Sequence, residues 1–186
     1  MRQFTGLALI GAAFLLSACT MVAPNYNPSI ENVRSLANLP KQGSVVGKFT
    51  AKDGDESRIN DISMRGGTLN SPYGSYAAYV EAALRQELSD AERLNPASGV
   101  TINGVLLRNR LDASGIRIGE ADMEVEFAVM AGSTVRYKKV HKAHHEWPSS
   151  FAGAIAIPAA QQNYHVVVQK LLASLFADPE FSAALK

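Results

Sequence analysis

The most regular pattern in the chain lies at 120–130, where Glu120, Asp122, Glu124 and Glu126 alternate with Ala121, Met123, Val125 and Phe127. A period of two puts the acids on one face and the apolar side chains on the other, which predicts an antiparallel strand covered on one side. After the turn Ala131-Gly132-Ser133, 134–147 returns as a partner strand with Arg136, Lys138, Lys142 and His144 on one face. A three-residue loop would set Glu126 opposite Lys138 and Phe127 opposite Tyr137. Two further strands are predicted at 44–50 and 100–110. Between them Ser75 caps a helix reaching to about 93, because Tyr76, Tyr79, Val80, Ala83, Leu84 and Leu88 recur at three- and four-residue steps. Pro158 suits the first turn of a second long helix, with Tyr164, Val167, Val168, Leu171 and Leu175 as its apolar stripe. Asp178-Pro179 then opens a short terminal helix. The order β-α-β-β-β-α predicts an α+β domain, a three- to four-stranded and mostly antiparallel sheet with two helices packed on one face.

Two stretches fall outside that pattern. Residues 51–75 are largely polar, with Asp53-Gly54-Asp55, Gly66-Gly67 and Ser71-Pro72-Tyr73-Gly74, and read as a long loop of the functional or mobile kind. Residues 20–42 hold Pro24, Pro28 and Pro40 among asparagines and have tether composition. Within them Asn27-Pro28 could open a short helix that docks through Ile30, Val33 and Leu36.

The first 18 residues read differently from the rest. One positive charge, Arg2, precedes an apolar run from Phe4 to Leu16 that is too short to span a bilayer, as in a secretory signal. The run ends Leu16-Ser17-Ala18-Cys19, which resembles the bacterial lipobox. The resemblance implies cleavage before Cys19, a diacylglycerol on its thiol and acylation of its freed amine, together enough acyl chain for firm anchoring. The chain thus divides into a signal peptide at 1–18, a lipidated cysteine and tether at 19–42, and one periplasmic domain at 43–186. Thr20, where some sorting signals carry Asp, points to the outer membrane.

Charge and composition narrow the function. The 186 residues carry 18 Lys+Arg and 17 Asp+Glu. Without the leader and its single Arg2 the balance is 17 of each. No basic excess remains to displace phosphate counterions, so no nucleic-acid partner is expected. Cys19 is the only cysteine, which excludes an intrachain disulfide and a cysteine zinc site.

The chemistry-bearing residue types give few leads. Of His141, His144 and His145, the first and last would share a face on a helix and could chelate, but on a strand His141 and His145 stand about 13 Å apart and His144 faces the other way. No metal or other cofactor is therefore expected, and the group reads as a solvated strand end. The acidic stripe of 120–126 reads as cross-strand ion pairing on a wet face. No nucleophile or phosphate-loop motif occurs, so a catalytic set is not expected. Arg65, Tyr73 and Tyr76, in or next to the 51–75 stretch, are the candidate interaction residues, since Arg and Tyr favour contact centres.

The lipobox, the element order and several words carry a family resemblance. These words are 71–76 before the first helix, His145-Glu146-Trp147, 151–158, and Asp178-Pro179-Glu180-Phe181. Together they resemble the small YajG-like outer-membrane lipoproteins of proteobacteria, a family without a settled activity. More distantly the topology resembles periplasmic assembly parts such as the curli-secretion lipoprotein. The resemblance implies a membrane-anchored, non-enzymatic binding or assembly module with an envelope protein as partner. An alternative is an auxiliary lipoprotein of an envelope transport system, binding lipid or another apolar solute in a pocket lined by Ala152, Gly153, Ala154 and Ala156.

Overall fold

The computed structural model describes residues 20–39 and 41–186. The signal peptide and Cys19 lie outside the described residues. Four strands make the main sheet: β2 (Val45–Ala51), β5 (Val100–Asp112), β6 (Ile118–Ala131) and β7 (Thr134–Pro148), in the order β2-β5-β6-β7. Within this sheet only β2 and β5 run parallel, because the chain between them crosses over through a helix. That helix, α3 (Tyr76–Asp90), and α4 (Gly153–Phe176) cover one face, and α5 (Pro179–Ala184) closes the end of α4. This is the predicted α+β architecture. Ser75 caps α3 by accepting from Ala78 N at 3.1 Å, and the alternation of β6 buries Ala121, Met123, Val125, Phe127 and Val129 completely.

The β6–β7 register differs from the prediction. Ala131 pairs with Thr134 across a two-residue loop, in which Gly132 takes φ +58°. A bulge between Val129 and Met130 then places Glu126 opposite Val140, Phe127 opposite Lys139 and Val129 opposite Tyr137. From Tyr137 on, the result is two positions from the predicted register, so those side chains keep their face; before the bulge Val135 stands opposite Met130 and is exposed. Lys138 still reaches Glu126 diagonally, at 3.1 Å.

The 51–75 stretch is not a loop. It folds into α2 (Glu56–Asn60), β3 (Ile62–Met64) and β4 (Gly67–Asn70), and with β1 (Thr20–Val22) it forms a second sheet in the order β1-β4-β3. Arg65 (φ +47°) and Gly66 (φ +84°) make the β3–β4 turn, the positive-φ pair a tight hairpin needs. Ile59, Ile62, Met64 and Leu69 are buried, and Asn60 Oδ1 accepts from Tyr76 N at 2.9 Å. Excision of 53–60 would therefore remove core and not spare loop.

The predicted tether is likewise folded from Thr20 on. Beyond β1, helix α1 (Ile30–Ala37) packs on α3 and α4, with Asn32 and Leu36 inward and Ile30 exposed, so the predicted Ile30 face is corrected. Its docking point is the buried carboxylate Glu87. One oxygen, Oε1, accepts from Tyr26 Oη at 2.5 Å, Ser29 N at 3.0 Å and Asn32 Nδ2 at 3.1 Å. Burial pushes the Glu87 carboxyl above its usual range, against the pull of these three donors.

Helix α4 begins at Gly153, one turn earlier than Pro158 suggested. Of the four small residues proposed to line a pocket, Ala152 and Ala154 are exposed, Gly153 is half-buried, and Ala156 is packed into the interior.

At the other end of α4, Asp178 caps α5 by accepting from Glu180 N at 2.9 Å. It also accepts from Tyr137 Oη at 3.0 Å and Lys139 Nζ at 2.8 Å. The Lys139 hydrogen bond leads in pulling its carboxyl down to about 2. A depressed carboxyl contributes stability above its unfolded value, near 3.9, and loses it as pH falls through about 2. Asn caps as well as Asp, so Asp178→Asn should keep the helix and flatten the acid side of a thermal-midpoint-against-pH curve in that window. Asp178→Ala should cost about 1–2 kcal/mol at neutral pH. An acid limb unchanged in Asp178→Asn would contradict this assignment.

Candidate functional site

The sequence-predicted interaction residues are occupied within the fold. Tyr76 is fully buried, its ring 5.0 Å from that of Tyr164 and its hydroxyl donating to Leu69 O at 2.6 Å. It is corrected from a surface candidate to a core residue. Tyr73 is at the margin of exposure, but its ring packs on Tyr79 at 5.4 Å and its hydroxyl accepts from Tyr26 N at 3.2 Å. Arg65 spends its guanidinium on backbone carbonyls, among them Ala113 O at 2.6 Å and Phe151 O at 2.7 Å. Both residues are fastenings between segments.

The histidines separate as the strand geometry requires, but not into a solvated end. His141 lies on the covered face of β7, buried, with Nε2 2.5 Å from Tyr137 Oη and Nδ1 3.0 Å from Ser174 Oγ. Burial holds its pKa below the usual value. Ser174, His141 and Asp178 look like a hydrolytic set, yet the Ser174 hydroxyl donates to Leu171 O at 2.7 Å within α4. Nε2 faces a tyrosine, and its nearest Asp178 oxygen is 3.7 Å away. The arrangement is a polar seam joining β7 to α4 and α5. His145 meets Asn163 Oδ1 at 2.9 Å, and His144 stands on the open face.

That open face carries a charge ladder. Arg110 lies 2.9 Å from Glu120 and 3.3 Å from Asp122, and Lys142 lies 3.1 Å from Glu124. His144 Nδ1 is 2.8 Å from Asp122 and its Nε2 is 3.2 Å from Glu146, and these hydrogen bonds raise its pKa. Glu120, His144 and Glu146 could gather round a cation, their ligand atoms lying within 4.8 Å of one another. Both imidazole nitrogens, however, already face carboxylates. The half-exposed pairs are worth a few tenths of a kcal/mol each, so the ladder sets surface character more than stability.

At the β5 end the ladder runs into a cleft of about 740 Å³. Strand β2 stops pairing at Leu106, and α2 with β3 flanks the rest of β5. Ile59, Ile62 and Leu111 lie along its apolar side. Lys52, Arg58, Arg108 and Arg110 face Asp55, Asp61 and Glu124 round the rim. A bulge between Leu106 and Arg108 decides which way the arginines point. Ile102 and Leu106 face the helices, and unbroken alternation would send Arg108 and Arg110 the same way; instead Asn109 and Leu111 turn inward and the arginines outward. Asn109 locks this by accepting from Tyr164 Oη at 2.9 Å and donating to Ile59 O at 3.0 Å. A cleft with an apolar side and a rim of both charges suits a segment of polypeptide. Among the described residues, Ser63 is the only hydroxyl lining it, and no histidine does. Sequence reading missed these residues; the i, i+2 spacing of Arg108 and Arg110 was the available signal.

The sequence matches no protein-family model and none of the curated proteins. Among solved structures, the fold is similar to that of a Xanthomonas campestris protein of the DUF330 family, at TM-score 0.58 and 14% identity, over 89% of this chain and 96% of that one. A weaker likeness, TM-score 0.45 at 13% identity, links it to a Caulobacter crescentus protein described as a candidate lipoprotein, over 83% of this chain and 95% of that one. At such identities the DUF330 likeness establishes the fold and nothing of the activity.

Proposed function

We propose that this chain is a lipid-anchored bacterial envelope lipoprotein, a non-enzymatic binding or assembly module whose cleft beside β5 takes a segment of an envelope protein. The observation that carries this is the junction at Cys19: a lipobox-like Leu16-Ser17-Ala18-Cys19 leads straight into Thr20, the first residue of β1. The family resemblance supports the outer membrane as the destination, with the domain on its periplasmic side. The alternative, an auxiliary carrier of apolar solutes, needs a cavity between helices and sheet, where Tyr76, Tyr79, Tyr164, Phe127 and Val167 are instead fully buried.

The test combines anchor and cleft. Labelled palmitate should enter the wild type and not Cys19→Ser. A photocrosslinking amino acid at Ser63 should capture one envelope protein, and Arg108→Glu with Arg110→Glu should abolish that product. Undiminished palmitate in Cys19→Ser overturns the anchor. Capture that the double reversal leaves unchanged overturns the cleft as the binding surface.

A further inference from the structure

The geometry points to the end of the domain bearing Phe151, Ile155, Ile116 and Ile118 as a seat in the lipid interface, holding the domain in one orientation on the bilayer. This rests on the lipid-anchor reading above and adds which surface meets the membrane.

Four large apolar side chains are exposed at this end: Phe151 by 77%, Ile116 by 66%, Ile155 by 60% and Ile118 by 54%. They come from two separate segments that the structure brings together. Ser149 N donates to Arg117 O at 2.9 Å. Arg65 ties Gly115 O at 3.3 Å to Ser150 O at 2.8 Å and to Phe151 O. Single exposed hydrophobics need no explanation, but a cluster does. The first turns of α4 strengthen the point. From Trp147 to Gln169 the chain carries no Asp, Glu, Lys or Arg, so the exposed start of α4 lacks the acids common at a helix opening in water. Arg117 is exposed between the two isoleucines, where a guanidinium can meet lipid phosphate. No helix among the described residues is long and apolar enough to cross a membrane. A surface of this size therefore lies in the interface and does not span it.

The occupant follows from where the anchor attaches. Thr20 pairs with Thr68, and β4 runs parallel to β1 from Gly67, directly after the Arg65-Gly66 turn that clamps the apolar segments. Thr68 lies three residues after Arg65, roughly 10 Å at most. Further along β1, Val22 O accepts from Gln161 of α4 at 3.3 Å, so β1 starts on the side of α4's first turns. Cys19 is bonded to Thr20, with their Cα atoms about 3.8 Å apart. A diacylglycerol on Cys19 then has no linker and brings this end, rather than the cleft, to the headgroups.

The experiment uses the full-length lipidated protein in vesicles of phosphatidylethanolamine and phosphatidylglycerol. Lipidation consumes the only native thiol, so a cysteine introduced by Ile155→Cys can carry an environment-sensitive fluorophore, with Lys186→Cys as the comparison. Nitroxide-bearing lipids should quench the probe at 155 several-fold more than the probe at 186. Phe151→Asp with Ile116→Asp should bring the two to the same level while palmitate on Cys19 is unchanged. Equal quenching at both sites in palmitate-labelled protein overturns the seat and leaves the anchor standing. Absence of palmitate overturns both. Detergent-solubilised protein that self-associates, and that Phe151→Asp renders monomeric, would assign the patch to a second copy and overturn the lipid seat. The comparison of the two label positions needs no substitution at Phe151 or Ile116, so it holds even if the aspartate variants misfold.

Discussion

Tyr76→Ala should lower stability by about 3–5 kcal/mol, the range for truncating a large buried aromatic, and the thermal midpoint by about 6–20 °C for a chain of this size. Tyr76 belongs to a tyrosine cluster: its ring lies 5.0 Å from Tyr164 and 6.4 Å from Tyr79, which itself packs on Tyr164 at 5.3 Å. Each hydroxyl is used. Tyr76 donates to Leu69 O, Tyr79 to Pro24 O at 3.0 Å and Tyr164 to Asn109 Oδ1. Three chain segments, the N-terminal arm, β4 and β5, are thereby fastened to α3 and α4. Burial raises the hydroxyl pKa of all three tyrosines, keeping them neutral donors. Tyr76→Phe keeps the ring and strands one carbonyl, so it should cost only about 1–2 kcal/mol. Thermal and urea melts of the two variants separate ring from hydroxyl. A Tyr76→Ala protein that melts with the wild type would return the start of α3 to the surface.

Arg65→Ala should cost about 2–4 kcal/mol and loosen one end of the domain before the rest. The guanidinium donates to Ala113 O, Ser114 O, Gly115 O, Ser150 O and Phe151 O, at 2.6–3.4 Å. Charge-assisted bonds run to about 1.5–3 kcal/mol each, but five sharing one group are far from additive. Lysine cannot replace the planar fork, so Arg65→Lys should recover less than half of the loss. Limited proteolysis should cut first in 113–118 and 149–155. A stable Arg65→Lys, or cleavage that starts elsewhere, would show that the clamp is not what joins these segments. Because the same clamp gathers Phe151 and Ile116, Arg65→Ala should also weaken the proposed lipid seat without touching it.

The legible parts of the fold were those with a local physical signature. The strand at 120–130 and the helix opened by Ser75 repeat over enough residues for period two and period 3.6 to stand apart. The ion pairing of the acidic stripe followed from the basic residues of the neighbouring strand. The second sheet did not show itself because β1 and β3 have three residues each and β4 has four, too few for a period. Asp53, Gly54 and Asp55 hid the fact that Ile59, Ile62 and Met64 are buried. Arg65 and Tyr73 were singled out for their residue types, and their carbonyl and ring partners lie far away in sequence.

Periodicity and capping follow from each residue's own geometry and its nearest neighbours, so the main sheet, its two covering helices and the lipobox-like leader could be read directly from the order of the amino acids. The bulge at Leu107 has no comparable local mark. It arises because Asn109 finds Tyr164 and Ile59 across the core, and it alone turns Arg108 and Arg110 outward to line the cleft. The apolar end of the domain has the same origin. Phe151 and Ile116 stand 35 positions apart in the chain and are brought together only when Arg65, from a third segment, bonds the carbonyl of Phe151 and that of Gly115, next to Ile116.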